Sequence, residues 1–188
     1  MQNPNQMIST PMIYDEVALG LRIRGMAEEQ IREKVAEALK ICGLYPMRNW
    51  PVAALSFGQK KRVTIASMLV MDPQILILDE PTAGQDYRHY TDIMEFLRGL
   101  NKQGITILMI THDMHLMLEY TPHAIVIAGG RKIGDGSAVA VLTDEDMAER
   151  ANLKLTSLYE LARKAELPDP QDFVQQFIDY EEARRRES

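Results

Sequence analysis

Apolar residues recur at helical spacing through the first fifty-odd positions and gather into short unbroken runs after them. Met12, Ile13, Val17, Leu19, Leu21 and Ile23 predict a helix from Pro11 that stops near Gly25. Ile31, Val35, Ala38 and Leu39 line one face of a second helix, Glu28 to Ile41, which Gly43 ends; Asn49-Trp50-Pro51 reads as a connecting loop. Lys60 to Met71 is predicted helical and is broken by Asp72-Pro73. Ile75 to Leu78 then places apolar residues side by side, the pattern of a strand buried on both faces of a parallel sheet. A helix from about Tyr87 to Leu100 leads through Lys102-Gln103-Gly104 to a second such run, Thr106 to Ile110. His112 to Tyr120 is predicted helical, and Ala124 to Ala128 is a third strand turning at Gly129-Gly130. Strands alternating with helices imply βαβ crossovers and an open α/β sheet. After Gly136 the pattern is helical again: Ser137 to Leu142, Glu145 to Ala151, Ser157 to Ala165 and Asp172 to Arg184, with Leu167-Pro168-Asp169-Pro170 before the last.

Composition adds limits. With 188 residues, 46% hydrophobic and 26% charged, the chain is long enough for one large or two small units with a true core. The net charge of −6 argues against a broad electrostatic footprint on nucleic acid. Arg184-Arg185-Arg186 is flanked by Glu181, Glu182 and Glu187 and reads as a solvated helix end. The single cysteine, Cys42, cannot form an internal disulfide, which fits a reducing compartment. No apolar run approaches the ~18 residues that span a bilayer, so any membrane role is expected to pass through a partner.

Three short segments carry candidate chemistry. Asp79-Glu80 ends the first strand, where open α/β sheets bind ligands. Adjacent carboxylates leave an extended backbone in different directions, so Asp79 could face Mg²⁺, a cation of hard oxygen ligands, while Glu80 faces an attacking water. In Leu55-Ser56-Phe57-Gly58-Gln59, the Ser56 hydroxyl can cap a helix and Gly58 lets backbone approach an anion; the helix N-terminus suits phosphate. His112, just past the second strand, could hydrogen-bond a terminal phosphate or the water. Each segment also has a plain reading: a polar exit turn after the strand, and an ordinary N-cap. His115 raises a metal pair with His112, but the spacing suggests no third ligand. His89 and His123 read as surface or helix-end residues.

In this order the segments resemble the second half of an ATP-binding-cassette (ABC) ATPase domain, and the resemblance runs from Gln2 to about Gly136. It implies a partial P-loop NTPase (RecA-like) α/β fold, with a parallel sheet, an inserted helical subdomain and a C-terminal helical extension. The expected organisation is a glutamine loop and helical subdomain over 1–57, the second half of the ATPase core over 58–140, and the extension over 141–188. By resemblance, Ser56, Gly58 and Gln59 belong to the signature loop, Asp79 is the Walker B aspartate, Glu80 the catalytic glutamate and His112 the switch histidine. Ala83-Gly84-Gln85-Asp86 is similar to the D-loop, with Gln85 where leucine is usual and Asp86 as a nucleotide-site residue. Gln2 in Gln2-Asn3-Pro4 would meet both Mg²⁺ and the water. Together with Tyr14-Asp15-Glu16-Val17-Ala18-Leu19-Gly20, this stretch looks most like the ATPases of energy-coupling-factor importers.

The resemblance further implies ATP and Mg²⁺ as cofactors, and a second ABC ATPase domain paired head to tail. It implies an integral membrane transporter subunit contacted by the helical subdomain, no nucleic acid, and a cytoplasmic site on the inner face of the membrane. No G-x-x-x-x-G-K-[ST] phosphate loop occurs in the 188 residues. The chain is therefore expected to be a fragment of a longer ATPase that is inactive alone. The alternative is a binding module that lends its signature loop to a complete ATPase, a role in which Glu80 and His112 would have no use. A chromosome-maintenance ATPase is disfavoured, since no sustained heptads separate Gln2 from Ser56.

Overall fold

One carboxylate shapes the chain just ahead of the helix that begins at Ile13. Glu16, almost fully buried, accepts hydrogen bonds at Oε2 from the backbone N–H of Ser9 (2.9 Å) and Thr10 (2.8 Å) and from the Thr10 hydroxyl (3.0 Å). The computed structural model describes residues 7–84 and 86–187, the side chains of 185–187 excepted. Two compact units divide it, Met1–Ile110 and Thr111–Ser188.

Among its described residues the first unit contains helices α1 (Ile13–Ile23), α2 (Glu28–Ile41) and α3 (Phe57–Leu69), which pack on one another. Ile13, Val17 and Leu21 of α1, Ile31, Val35 and Leu39 of α2, and Val63 and Ala66 of α3 are all at most 1% exposed. The helical spacing of these residues is what buries one stripe of each helix. Gly43, with φ +68°, lets the backbone turn left-handed out of α2. A salt bridge from Lys34 to Asp72 joins α2 to the turn after α3.

Strands β1 (Ile75–Asp79) and β2 (Thr106–Ile110) pair in parallel, from Ile75 opposite Thr106 to Asp79 opposite Ile110, and α4 (Tyr87–Lys102) is the crossover between them. Leu76 and Leu78 face inward, and Ile93, Leu97 and Leu100 of α4 are buried. The expectation that β1 is buried on both faces is corrected here. Ile75 and Ile77 are 59% and 58% exposed, beside the exposed Leu108 and Ile110 of β2, so among the described residues one face of this sheet is open.

The second unit contains α5 (Met114–Tyr120), then β3 (Ala124–Ala128) and β4 (Arg131–Gly136) as an antiparallel hairpin. Ala128 opposite Arg131 leaves Gly129-Gly130 as a two-residue turn with both φ values positive, as a tight hairpin turn of this kind requires. This too corrects the sequence expectation. β3 pairs with β4 in a sheet of its own rather than joining β1 and β2, and β4 was not predicted. Helices α6 (Ala138–Leu142), α7 (Glu145–Ala151), α8 (Ser157–Lys164) and α9 (Pro170–Glu187) follow. The side chains of Ser137, Asp144 and Thr156 each accept a backbone N–H at the starts of α6, α7 and α8, which fixes where these short helices begin. Leu118, Val126, Leu142, Val174 and Ile178 form the shared core.

Candidate functional site

Ser56 begins α3 through a capping box. Its Oγ accepts the Gln59 N–H at 3.3 Å, while Gln59 Oε1 accepts the Ser56 N–H at 2.9 Å. The serine was expected to cap a helix, and it does; the helix starts at Phe57 rather than Lys60 because the box closes there. Ser56 and Phe57 are exposed. Gly58 has no left-handed backbone, and a Cβ on it would lie 3.7 Å from the His89 ring, an ordinary contact.

Helix α4 starts in the same way at Asp86, whose carboxylate accepts the His89 N–H at 3.0 Å and lies 2.8 Å from His89 Nδ1. The backbone N–H of His89, and then its ring, hold the Asp86 carboxyl below the usual carboxylate range. The starts of α3 and α4 therefore meet. Ser56, Phe57, Gly58, Gly84, Asp86 and His89 line one pocket of about 340 Å³. His89, read from sequence as a surface or helix-end residue, is exposed in the first turn of α4 and also lines this pocket. The signal was present in its i,i+3 spacing from the N-capping Asp86.

Asp79 and Glu80 stand at the C-terminal end of β1, both half-buried. Glu80 adopts a left-handed backbone with φ +48°, and its N–H donates to the Ile110 carbonyl of β2 at 2.8 Å. Such a conformation costs a residue with a Cβ about 1–2 kcal/mol, and backbone strain of this kind gathers at functional sites. The chain then turns through Pro81 and Thr82, both buried, with the Ala83 N–H on the Glu80 carbonyl at 3.2 Å.

His112 lies in the second unit, in the turn before α5. Asp113 caps that helix by accepting the N–H groups of His115 (3.0 Å) and Leu116 (3.1 Å), and its own N–H donates to Thr111 Oγ1 at 3.0 Å. His112 is exposed and borders a mainly apolar pocket of about 640 Å³ floored by Leu118, Leu155, Leu158, Phe177 and Ile178. His115 turns to Glu119, 3.3 Å away. The structure thus brings Ser56, Gly58 and Asp86 to one pocket, sets Asp79 and Glu80 at the neighbouring strand end, and places His112 in the other unit. Gln2 and Gln85 lie outside the described residues.

Comparison with known proteins bears on family and fold. The family model described as "ABC transporter" matches residues 2–83. An ABC transporter ATP-binding protein of Clostridium perfringens is 66% identical over 98% of the chain. The chain belongs to the ABC transporter ATP-binding family. An ABC transporter ATP-binding protein of Lactobacillus johnsonii is 59% identical over 97% of the chain. The chain spans about a third of the length of these relatives, 33% and 32%. Among solved structures, cbiO1 of Clostridium perfringens, described as part of the ABC transporter complex cbiONQ, superposes with a TM-score of 0.71. It shares 36% identity, over 88% of this chain and 65% of that one. An ATP-binding cassette of an ABC transporter in its ADP conformation gives a TM-score of 0.69 at 26% identity, over 79% of this chain and 65% of that one. The fold is accordingly that of ABC ATPases, a P-loop NTPase architecture of parallel sheet and helices.

Proposed function

We propose that this chain is the part of an ABC importer ATPase, of the energy-coupling-factor kind, that carries the signature loop and the water-activating glutamate. The observation that carries the reading is the junction of Ser56 and Gly58 with Asp86 in one pocket, next to a strand end that holds Glu80 in a strained conformation. Residues 1–57 supply the glutamine loop and helical part, 58–140 the core, and 141–188 the C-terminal extension.

Phosphoryl transfer asks chiefly for positioning and charge neutralisation. The start of α3, with the Ser56 hydroxyl and the backbone at Gly58, offers donors to the terminal phosphate of ATP held by a paired domain. At the ATP held by the phosphate loop of its own domain, the Glu80 carboxylate orients the attacking water and accepts its proton as the new P–O bond forms and the bond to the bridging oxygen breaks, releasing ADP. Gln59 and Asp86 support the rim of the pocket that Ser56 lines, and His112 of the second unit takes the role of switch histidine. Asp79, a hard carboxylate at the strand end, would hold Mg²⁺, with Gln2 as the second ligand the resemblance implies, and the ion would neutralise phosphate charge. The phosphate loop is supplied from beyond these 188 residues. The partners are then a second ABC ATPase domain and a membrane subunit met by the helical part, on the cytoplasmic face of the membrane. The cbiONQ membership of the structural relative supports that reading. No described helix is long and apolar enough to cross a membrane.

The test is complementation. The chain is co-purified with the phosphate-loop half of a related ATP-binding cassette, and Mg-ATP turnover is measured for wild type, Glu80→Gln and His112→Ala. Turnover that needs both halves and is lost in Glu80→Gln is expected. Wild-type activity in Glu80→Gln would overturn the assignment of Glu80.

A further inference from the structure

Lys61 is a buried cation on the helix that Ser56 starts. The residue is 4% exposed, and its Nζ donates to the Pro81 carbonyl at 2.5 Å and the Ala83 carbonyl at 3.4 Å. The ammonium lies 5.2 Å from the centroid of the Phe57 ring. Among the described residues no carboxylate forms an ion pair with it. The gap it borders with Ile65, Leu78, Pro81 and Ile93 measures about 10 Å³, at the lower limit for holding one water. Burial lowers its pKa. A cation withdrawn from water must be met by acceptors, and the acceptors here are two backbone carbonyls of the turn that leaves β1.

That turn is the one that holds Glu80. The Glu80 N–H is tied to Ile110 of β2 and the Glu80 carbonyl to the Ala83 N–H. These bonds fasten Glu80 itself. The orientation of the next peptide, whose carbonyl belongs to Pro81, is set by Lys61. We infer that Lys61 is a positioning residue for Glu80: its ammonium, seated on the Pro81 and Ala83 carbonyls, anchors the turn that leaves Glu80 and ties that turn to α3. The inference rests on the reading of Glu80 as the water-activating group. A lysine suits the task because its stem can lie among Ile65, Leu78 and Ile93 while its head reaches the carbonyls.

The test uses the complemented ATPase described above, with Lys61→Met, which keeps an apolar stem of similar length and removes the donor, and Lys61→Arg, which keeps charge and donors. Lys61→Met is expected to lower kcat about tenfold with KM for ATP within about threefold, because a carboxylate displaced by a fraction of an ångström orients water poorly. Lys61→Arg is expected to recover part of kcat. Amide hydrogen exchange at residues 80 and 82–84 should quicken in Lys61→Met while circular dichroism stays unchanged. If Lys61→Met does not fold, Lys61→Gln, with a shorter stem and a neutral donor, takes its place in the same measurements. A folded variant with wild-type kcat, or with KM alone raised, would overturn the inference. Should Glu80→Gln retain turnover, the reading and the inference fall together. A dead Glu80→Gln beside an undisturbed Lys61→Met sinks the inference alone.

Discussion

Glycine and alanine at position 80 should rank in the reverse of their usual order. Both substitutions remove the carboxylate, so whatever that side chain touches is lost equally, and the comparison isolates the backbone. At an ordinary helix or strand position alanine is the more stabilising by about 0.5–1 kcal/mol, because glycine has more freedom to lose on folding. At position 80 the backbone is left-handed, φ +48°. There a Cβ costs about 1–2 kcal/mol and glycine escapes that cost. The difference leaves Glu80→Gly more stable than Glu80→Ala by roughly 0.5–1 kcal/mol. With a urea slope of about 2 kcal/mol/M, the midpoints should differ by roughly 0.25–0.5 M. Trp50 is the single tryptophan and lies in the first unit with residue 80, so its fluorescence reports the transition that matters. A higher midpoint for Glu80→Ala would refute the left-handed assignment, and with it the claim that the strand end stores strain at the glutamate.

Three further outcomes follow from the same structure. Cys42 is fully buried, and burial pushes its thiol up to about 12; iodoacetamide at mildly alkaline pH should therefore leave the folded chain unmodified by mass spectrometry and alkylate it in urea. Ser56→Ala removes the capping box and should cost about 1 kcal/mol in the Trp50-monitored transition. Asp135 is held below its ordinary carboxylate value first by its hydrogen bond from Lys132 and its attraction to that charge, and less by His123. A depressed folded value means that its stabilisation is present above the ordinary value of 3.8 and is lost as pH falls through the folded one. Acid titration of the second unit, followed by circular dichroism, should thus be shallower in Asp135→Asn.

Helix faces and strand positions were legible because one residue's environment is written in its near neighbours. β1, β2 and β3 fall where the apolar runs lie, and α2 and α4 where the spacing of Ile31 to Leu39 and the helical run from Tyr87 require. β4 was not, since Arg131-Lys132-Ile133-Gly134-Asp135-Gly136 contains one large apolar residue and two glycines. Its strand form comes from the hairpin geometry that Gly129-Gly130 imposes and from pairing with β3. The motif residues could be named in advance for a similar reason, because their order along the chain carries the family resemblance. Which of them meet is a property of packing. Ser56 and Asp86 reach one pocket only because the starts of α3 and α4 abut, and no local pattern records that contact.

The open face of β1 and β2 marks a different limit. A strand destined to be wet on one side alternates apolar with polar residues, yet Ile75 and Ile77 point outward beside Leu108 and Ile110. The apolar run therefore reports which faces are suited to burial, while the described residues determine which faces are buried. Lys61 is the converse case. In sequence it is one member of the basic cluster Lys60-Lys61-Arg62, and lysine is almost never fully buried without a partner. The capping box at Ser56 sets the rotation of α3, and that rotation turns Lys61 inward onto the carbonyls after β1 while the other two remain less buried. A charge was thus placed in the interior by the phase of a helix, and the turn that holds Glu80 supplies the acceptors that make its burial tolerable.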